Sequence, residues 1–197
     1  MNLLIRTMQI QPSKIGFDFD GVIADIGEAF IRLACEEHNY CSFSLADITD
    51  FHVEKCTSVP EEIVQTIFSD ILRNSLATGL MPIDGAMKVL ADLTKYDLVT
   101  IITARSEERP VSDWLEHYLP ADICSRIKLI AMSDHDLKVR FIKQEKLQYF
   151  IDDRAETCAQ IANANLTPIL YRQPWNSAWN HFATVSNWSD IDQLIQT

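Results

Sequence analysis

The stretch Lys14-Ile15-Gly16-Phe17-Asp18-Phe19-Asp20-Gly21-Val22 carries a short apolar, strand-like run into two acids and a glycine. Side chains at i and i+2 of a strand point the same way, so Asp18 and Asp20 are expected to face one cleft. Gly21 lets the backbone turn there without steric cost. Aspartate also commonly caps a turn, and the D-x-D pair by itself leaves both uses open.

Working outward from this stretch, Lys14–Phe19 reads as the first strand and Leu98–Thr103 (LVTIIT), apolar and β-branched, as a second buried one. Lys128–Ala131, Gln148–Ile151 and Pro168–Tyr171 are three further short strands, with helical spacing between successive ones. Strands alternating with helices imply an α/β fold with a parallel sheet flanked by helices. In such sheets ligands gather outside the carboxyl ends of the strands.

Residues 20–97 separate the first two strands, far more than one crossover helix requires. Ala24–Glu37 has helical spacing, Val59–Leu76 is a helix opened by Pro60 with Glu61 and Glu62 in its first turn, and Asp84–Lys95 returns the chain to the sheet. We expect a core of residues 1–24 and 81–197 and a small helical cap of residues 25–80.

Asp152 and Asp153, at the end of the Gln148–Ile151 strand, bring two more carboxylates to the same rim. Like charges about 4 Å apart repel by roughly 4 kcal/mol at an effective dielectric near 20, so such a cluster calls for protonation or a bound cation. Oxygen ligands suit a hard cation. Magnesium, content with one or two carboxylates plus water and substrate phosphate, fits better than calcium. Thr103-Ala104-Arg105 adds a hydroxyl and a guanidinium after the second strand. Thr103 could hold a phosphate oxygen or cap the following helix. Lys138 lies 14 residues before Asp152, with Lys143 and Lys146 as rivals for the same place.

Composition narrows the partners. The chain has 197 residues, 47% of them hydrophobic, and a net charge of −11. That charge repels nucleic-acid polymers and anionic membranes, while a small anion remains accessible to a local cation in a cleft. No apolar run is long enough to span a bilayer, and the opening MNLLIRTMQIQPSK has only one short apolar patch at residues 3–5 and no cleavage site, so a soluble, unexported, cytoplasmic chain is expected. Cys35, Cys41, Cys56, Cys124 and Cys158 are odd in number and scattered, which suggests reduced thiols.

DFDGV, ITAR, Lys138 and FIDDR, in that order, resemble the four motifs of the haloacid dehalogenase (HAD) superfamily of phosphohydrolases, over about residues 14–171. The resemblance implies a Rossmann-like core. It implies Asp18 as a nucleophile that forms an aspartyl-phosphate and Asp20 as general acid and base. It also implies a magnesium site from Asp18, the Asp20 backbone carbonyl and the Asp152/Asp153 pair. Phosphate or substrate contacts would come from Gly21, Thr103, Ala104, Arg105 and Lys138. The short insertion and the phrases GVIAD and IDDR are most similar to the 5′(3′)-deoxyribonucleotidase type, which implies a nucleoside monophosphate as substrate. Phe30, Phe43, Phe51, His52 and Trp114 could stack on a base, or could be core, the usual place of aromatics at helical spacing.

Other phosphatases of the same mechanism, acting on sugar phosphates, and phosphomutases share both acids. A dehalogenase lacks the acid at the Asp20 position, and a non-catalytic binding module would be expected to have lost at least one of the four. Trp175, Trp179 and Trp188 could line a pocket, but read better as packing over a sheet edge, followed by a helix at Ser189–Ile195.

Overall fold

A computed structural model describes residues 9–132 and 137–195; the apolar patch at residues 3–5 lies outside them. Among the described residues, six strands form one sheet in the order β3-β2-β1-β4-β5-β6: β1 (Ile15–Phe17), β2 (Val99–Thr103), β3 (Ile127–Ala131), β4 (Tyr149–Asp152), β5 (Thr167–Tyr171) and β6 (Ala183–Val185). Every pairing is parallel. Strand order reverses beside β1, whose neighbours are β2 and β4, so the crevice for a ligand opens at the carboxyl ends of these three.

Both faces of β1 and β2 are buried, which explains their unbroken apolar runs. Phe17 stacks on Trp188 at 5.4 Å, and Phe19 meets Trp114 edge-on at 5.0 Å. β1 is shorter than expected. Asp18 N–H still donates to the Ile151 carbonyl, but the chain then turns: Gly21 N–H reaches the Ala24 carbonyl at 2.9 Å, with Gly21 at φ +73°.

Helices α1 (Ile26–His38) and α2 (Glu61–Arg73) occupy the long interval between β1 and β2, followed by α3 (Ala86–Leu93). The Asp25 carboxylate caps α1 by accepting from Glu28 N–H. In α2, Glu61 and Glu62 open the helix and Arg73 closes it, each sign complementing the helix dipole, while Val64, Ile67 and Ile71 form the buried stripe. Phe30 of α1 stacks on Phe68 of α2 at 4.9 Å. The segments entering and leaving this pair run side by side: Asp25 N–H donates to Met81, Ile83 N–H donates to Ile23, and Ala24 bridges Pro82 antiparallel.

The remaining helices are α4 (Arg109–Tyr118), α5 (Ala121–Cys124), α6 (Lys138–Gln144), α7 (Ala155–Asn163) and α8 (Trp188–Leu194). Among the described residues, no helix is long and apolar enough to cross a membrane.

The cysteine reading needs correction. Cys35 and Cys41 form a disulfide, leaving Cys56, Cys124 and Cys158 free. Cys35 sits in the last turn of α1, and Asn39, left-handed at φ 62°, folds the chain back so that Cys41 returns beside it.

Candidate active site

Three strand ends and one helix start supply the polar groups. β1 leads into Asp18 and Asp20, β2 ends at Thr103 with Arg105 beyond it, β4 ends at Asp152 followed by Asp153, and α6 starts at Lys138. Beyond β5 a turn at Pro174–Asn176 wraps the loops from behind.

Asp18, Asp152 and Asp153 each offer a carboxylate oxygen, and these lie within 4.8 Å of one another in the interior. Lys138 is wholly buried between two of them. Its ammonium donates to Asp152 Oδ2 at 2.6 Å and lies 3.0 Å from Asp18 Oδ2. Lys143 and Lys146 are exposed, so Lys138 is the lysine brought to the acids. One cation cannot balance three buried carboxylates. Burial raises the Asp18 pKa to about 7, with Asp152 and Asp20 reinforcing the rise and Lys138 opposing it. Asp153 is raised well above the usual carboxylate range, again by burial first and then by Asp152 and Asp18. For Lys138, burial disfavours the charge, but the two acids beside it outweigh burial and raise its pKa.

Three convergent carboxylate oxygens with residual negative charge fit a hard divalent cation. A Cβ on Gly21 would lie 2.5 Å from Asp153 Oδ2, so only glycine admits the carboxylate there. Asp153 is held in place from outside: Trp175 Nε1 donates to Oδ2 at 2.9 Å, and Asn176 Nδ2 donates to the Asp153 carbonyl at 2.7 Å and to the Tyr171 carbonyl at 2.8 Å. Gln173 Nε2 donates to the Gly21 carbonyl at 2.8 Å, tying the same turn to the first loop.

The Asp20 carboxylate stands apart from the three-acid cluster and is gripped by Arg105, with Nε to Oδ2 at 2.8 Å and Nη2 to Oδ1 at 2.7 Å. Arg105 Nη1 reaches Ser75 Oγ at 2.6 Å and the Leu72 carbonyl at 3.2 Å. Its guanidinium, assigned from sequence to phosphate or substrate contact, is thus engaged with protein groups. Thr103 is buried, and its hydroxyl accepts from Arg105 N–H at 3.3 Å.

Above these residues lies a cavity of about 710 Å³ lined by Asp18, Asp20, Thr103, Ala104, Arg105 and Asp153, with Ile26 and Phe30 of α1 and Val64, Gln65, Phe68 and Leu72 of α2 as further walls. Phe51, His52, Arg154 and Trp175 also border it, and these four line a smaller neighbouring cavity of about 240 Å³. The Arg154 guanidinium sits 4.8 Å over the Phe51 ring. Of the aromatics considered from sequence, Phe30, Phe51 and His52 reach the cavity. Trp114 is core, donating to the Leu80 carbonyl, and Phe43 packs beside Phe30 at 6.1 Å. Phe68 and Gln65 escaped sequence reading, since nothing in an amphipathic helix marks which face meets a ligand, and Ser75, just past the end of α2, carries no local signal of its contact with Arg105. Trp175 was read as edge packing and instead lines the cavity and holds an acid.

Residues 12–197 match the family described as 5′ nucleotidase, deoxy (pyrimidine), cytosolic type C protein. A protein of Bacillus cereus named "Putative nucleotidase" is 23% identical over 193 residues, covering 93% of this chain and 98% of that protein. Among solved structures, a haloacid dehalogenase-like hydrolase from Streptococcus pneumoniae aligns with a TM-score of 0.58 at 12% identity, covering 90% of this chain and 95% of the other. A HAD-superfamily hydrolase from Ehrlichia chaffeensis aligns at 0.52 and 14%, covering 95% and 99%. The structures share the fold, and the family match spans nearly the whole sequence. The chain belongs to the cytosolic type C 5′-nucleotidase family, phosphomonoester hydrolases built on the HAD fold.

Proposed function

We propose that this protein is a magnesium-dependent 5′-nucleotidase that hydrolyses (deoxy)nucleoside monophosphates through an aspartyl-phosphate on Asp18. The observation that carries this reading is the meeting of a buried triple-acid and lysine cluster with a cavity walled by Phe30 and Phe68. Acids and lysine suit a phosphoryl group. Aromatic and aliphatic walls suit a base better than a second polyol, which favours a nucleotide over a sugar phosphate.

In this reading an Asp18 carboxylate oxygen attacks phosphorus, the bond to the leaving oxygen breaks, and Asp20 delivers a proton to that oxygen. Asp20 then takes a proton from water, whose oxygen attacks the phosphorus, freeing inorganic phosphate and the Asp18 carboxylate. Lys138 and Thr103 would steady phosphoryl oxygens as charge develops, and the Gly21 and Ala104 loops leave room for the group. Magnesium held by Asp18, Asp152, Asp153 and the Asp20 carbonyl would neutralise the acids and withdraw charge from the phosphoryl group. Residues 25–80 act as the cap that shapes the substrate end, over a core of 1–24 and 81–197. The matched family is described as cytosolic, which supports a cytoplasmic setting.

The test is phosphate release from nucleoside 5′- and 3′-monophosphates, sugar phosphates and an aryl phosphate, with magnesium and with chelator. Chelator-sensitive release concentrated on 5′-nucleotides is expected. Preference for sugar phosphates would retain the chemistry and discard the substrate, while exchange of phosphate between two positions of one sugar would mark a mutase.

A further inference from the structure

Arg105 is a guanidinium in the interior, its side chain 3% exposed. Taking a guanidinium charge out of water is costly unless its donors find partners, and here they do. Two go to the two oxygens of Asp20 as a fork, and Nη1 serves both Ser75 Oγ and the Leu72 carbonyl. One face covers the Phe19 ring at 4.9 Å. The backbone of the same residue is anchored on Thr103 Oγ1. One side chain therefore joins three parts of the molecule: the loop after β2, the carboxylate two residues past Asp18, and the carboxyl end of α2, where Leu72 is in the last turn and Ser75 lies just beyond.

A carboxylate has about four lone-pair sites, and the fork occupies two, so Asp20 keeps acceptor capacity while losing rotational freedom. Asp20 also lines the cavity, and its side chain is 21% exposed. A side chain free to rotate would have to be ordered in each turnover; one clamped at both oxygens is already ordered.

We propose that Arg105 is a positioning residue, which aims Asp20 at the leaving oxygen and makes that aim depend on the end of α2 being seated on the core. The proposal rests on the reading of Asp20 as acid and base. It predicts that loss of the clamp is felt most where proton delivery matters most. The alkoxide of a nucleoside needs a proton to depart, whereas 4-nitrophenolate departs without one.

The experiment compares Arg105→Ala, Arg105→Lys and Ser75→Ala with wild type in the full-length protein with magnesium. Single-turnover rates are measured on 4-nitrophenyl phosphate and on an alkyl phosphate that the wild type hydrolyses, a nucleoside 5′-monophosphate on the reading above. Arg105→Ala is expected to slow the alkyl phosphate at least tenfold more than the aryl phosphate. Arg105→Lys should recover part of that difference, and Ser75→Ala should show a smaller loss of the same kind. Equal losses on both substrates, or none, would overturn the proposal by making Arg105 a structural residue only. If Arg105→Ala fails to fold, the ratio of the two rates in Arg105→Lys and Ser75→Ala decides the matter by the same criterion. Asp20→Asn separates the two layers. Selective loss there with none in the Arg105 variants rejects the clamp alone, and no selectivity in Asp20→Asn rejects the acid and the clamp together.

Discussion

Trp175 donates its indole N–H to Asp153 Oδ2 at 2.9 Å, across 22 residues of sequence, and so turns one of the three clustered acids toward the other two. The ring also borders the cavity. Outer partners of metal ligands commonly govern affinity by 10- to 100-fold.

Trp175→Phe keeps most of the ring and removes the donor. We expect magnesium affinity to fall by about tenfold with little change in melting temperature. Calorimetric titration of magnesium into the chelated protein checks this, and unchanged affinity would show that the hydrogen bond only packs the turn.

On the proposed mechanism Asp18→Asn should abolish phosphate release, because it replaces the proposed nucleophilic carboxylate with a neutral amide while leaving volume and packing almost unchanged. The melting temperature of the chelated variant near neutral pH should equal or exceed wild type, since one of three mutually repelling buried acids is gone. Near-normal turnover by this variant would sink the covalent mechanism.

The pH dependence of metal-free stability follows from the same acids. The pKa of Asp18 is about 7 in the fold and near 3.9 in an unfolded chain. Between those values the native state holds the proton more tightly, so the stabilising contribution is full below about pH 4 and is lost as pH rises through about 7. Asp153, also raised, acts in the same direction. The slope cannot exceed about 1.4 kcal/mol per pH unit for each group. Chelated protein should therefore melt lower at about pH 8 than at about pH 5, and magnesium should narrow the gap. A melting temperature that rises over this range in chelator would contradict the assignment.

Lys138 is the sole cation contacting Asp18 and Asp152 among the described ion pairs, and it has no exposure to water. Lys138→Met should destabilise the protein by about 3 kcal/mol, the cost of leaving buried acids uncompensated. It should also slow phosphoryl transfer. Urea unfolding at about pH 8 reads the first, and single-turnover kinetics the second.

The disulfide joins residues six apart in sequence, so it closes a short loop. Loop-closure entropy for a ring of this size gives roughly 2 kcal/mol. Reductant, or Cys35→Ser, should lower the melting temperature accordingly, and thiol counting should show three free thiols before reduction and five after. Five from the outset would mean that the pair is not bonded in the isolated protein.

Asp18, Thr103 and Asp152 were legible as candidate site residues because each sits where an apolar strand run stops, and that punctuation is local; Lys138 was picked out only by its 14-residue distance from Asp152 and by the family resemblance. β6 was not, since Ala183–Val185 is three residues long, sits among tryptophans and polar residues, and is a strand only because β5 presents an edge to it. Boundaries drifted for similar reasons. Lys14 belongs to a 3-10 turn, and beyond Phe17 the chain turns where alternation alone would extend the strand. The contacts of Ser75 with Arg105, of Trp175 with Asp153 and of Cys35 with Cys41 are tertiary or turn-dependent. They need the path of the chain in space, which residue type and spacing do not encode.

The antiparallel bridge between Ala24 and Pro82 brings the two ends of the long insertion to neighbouring-strand distance, about 5 Å. A segment whose ends meet in this way behaves as a cassette. It can be lengthened, shortened or exchanged for another of different shape while the chain on either side continues on its former course. On the proposed function, the acids at the strand ends can then be inherited unchanged while the cavity walls supplied by α1 and α2 vary separately. Arg105, which reaches across to Leu72 and Ser75, is the point at which such an exchange would have to be matched by the core.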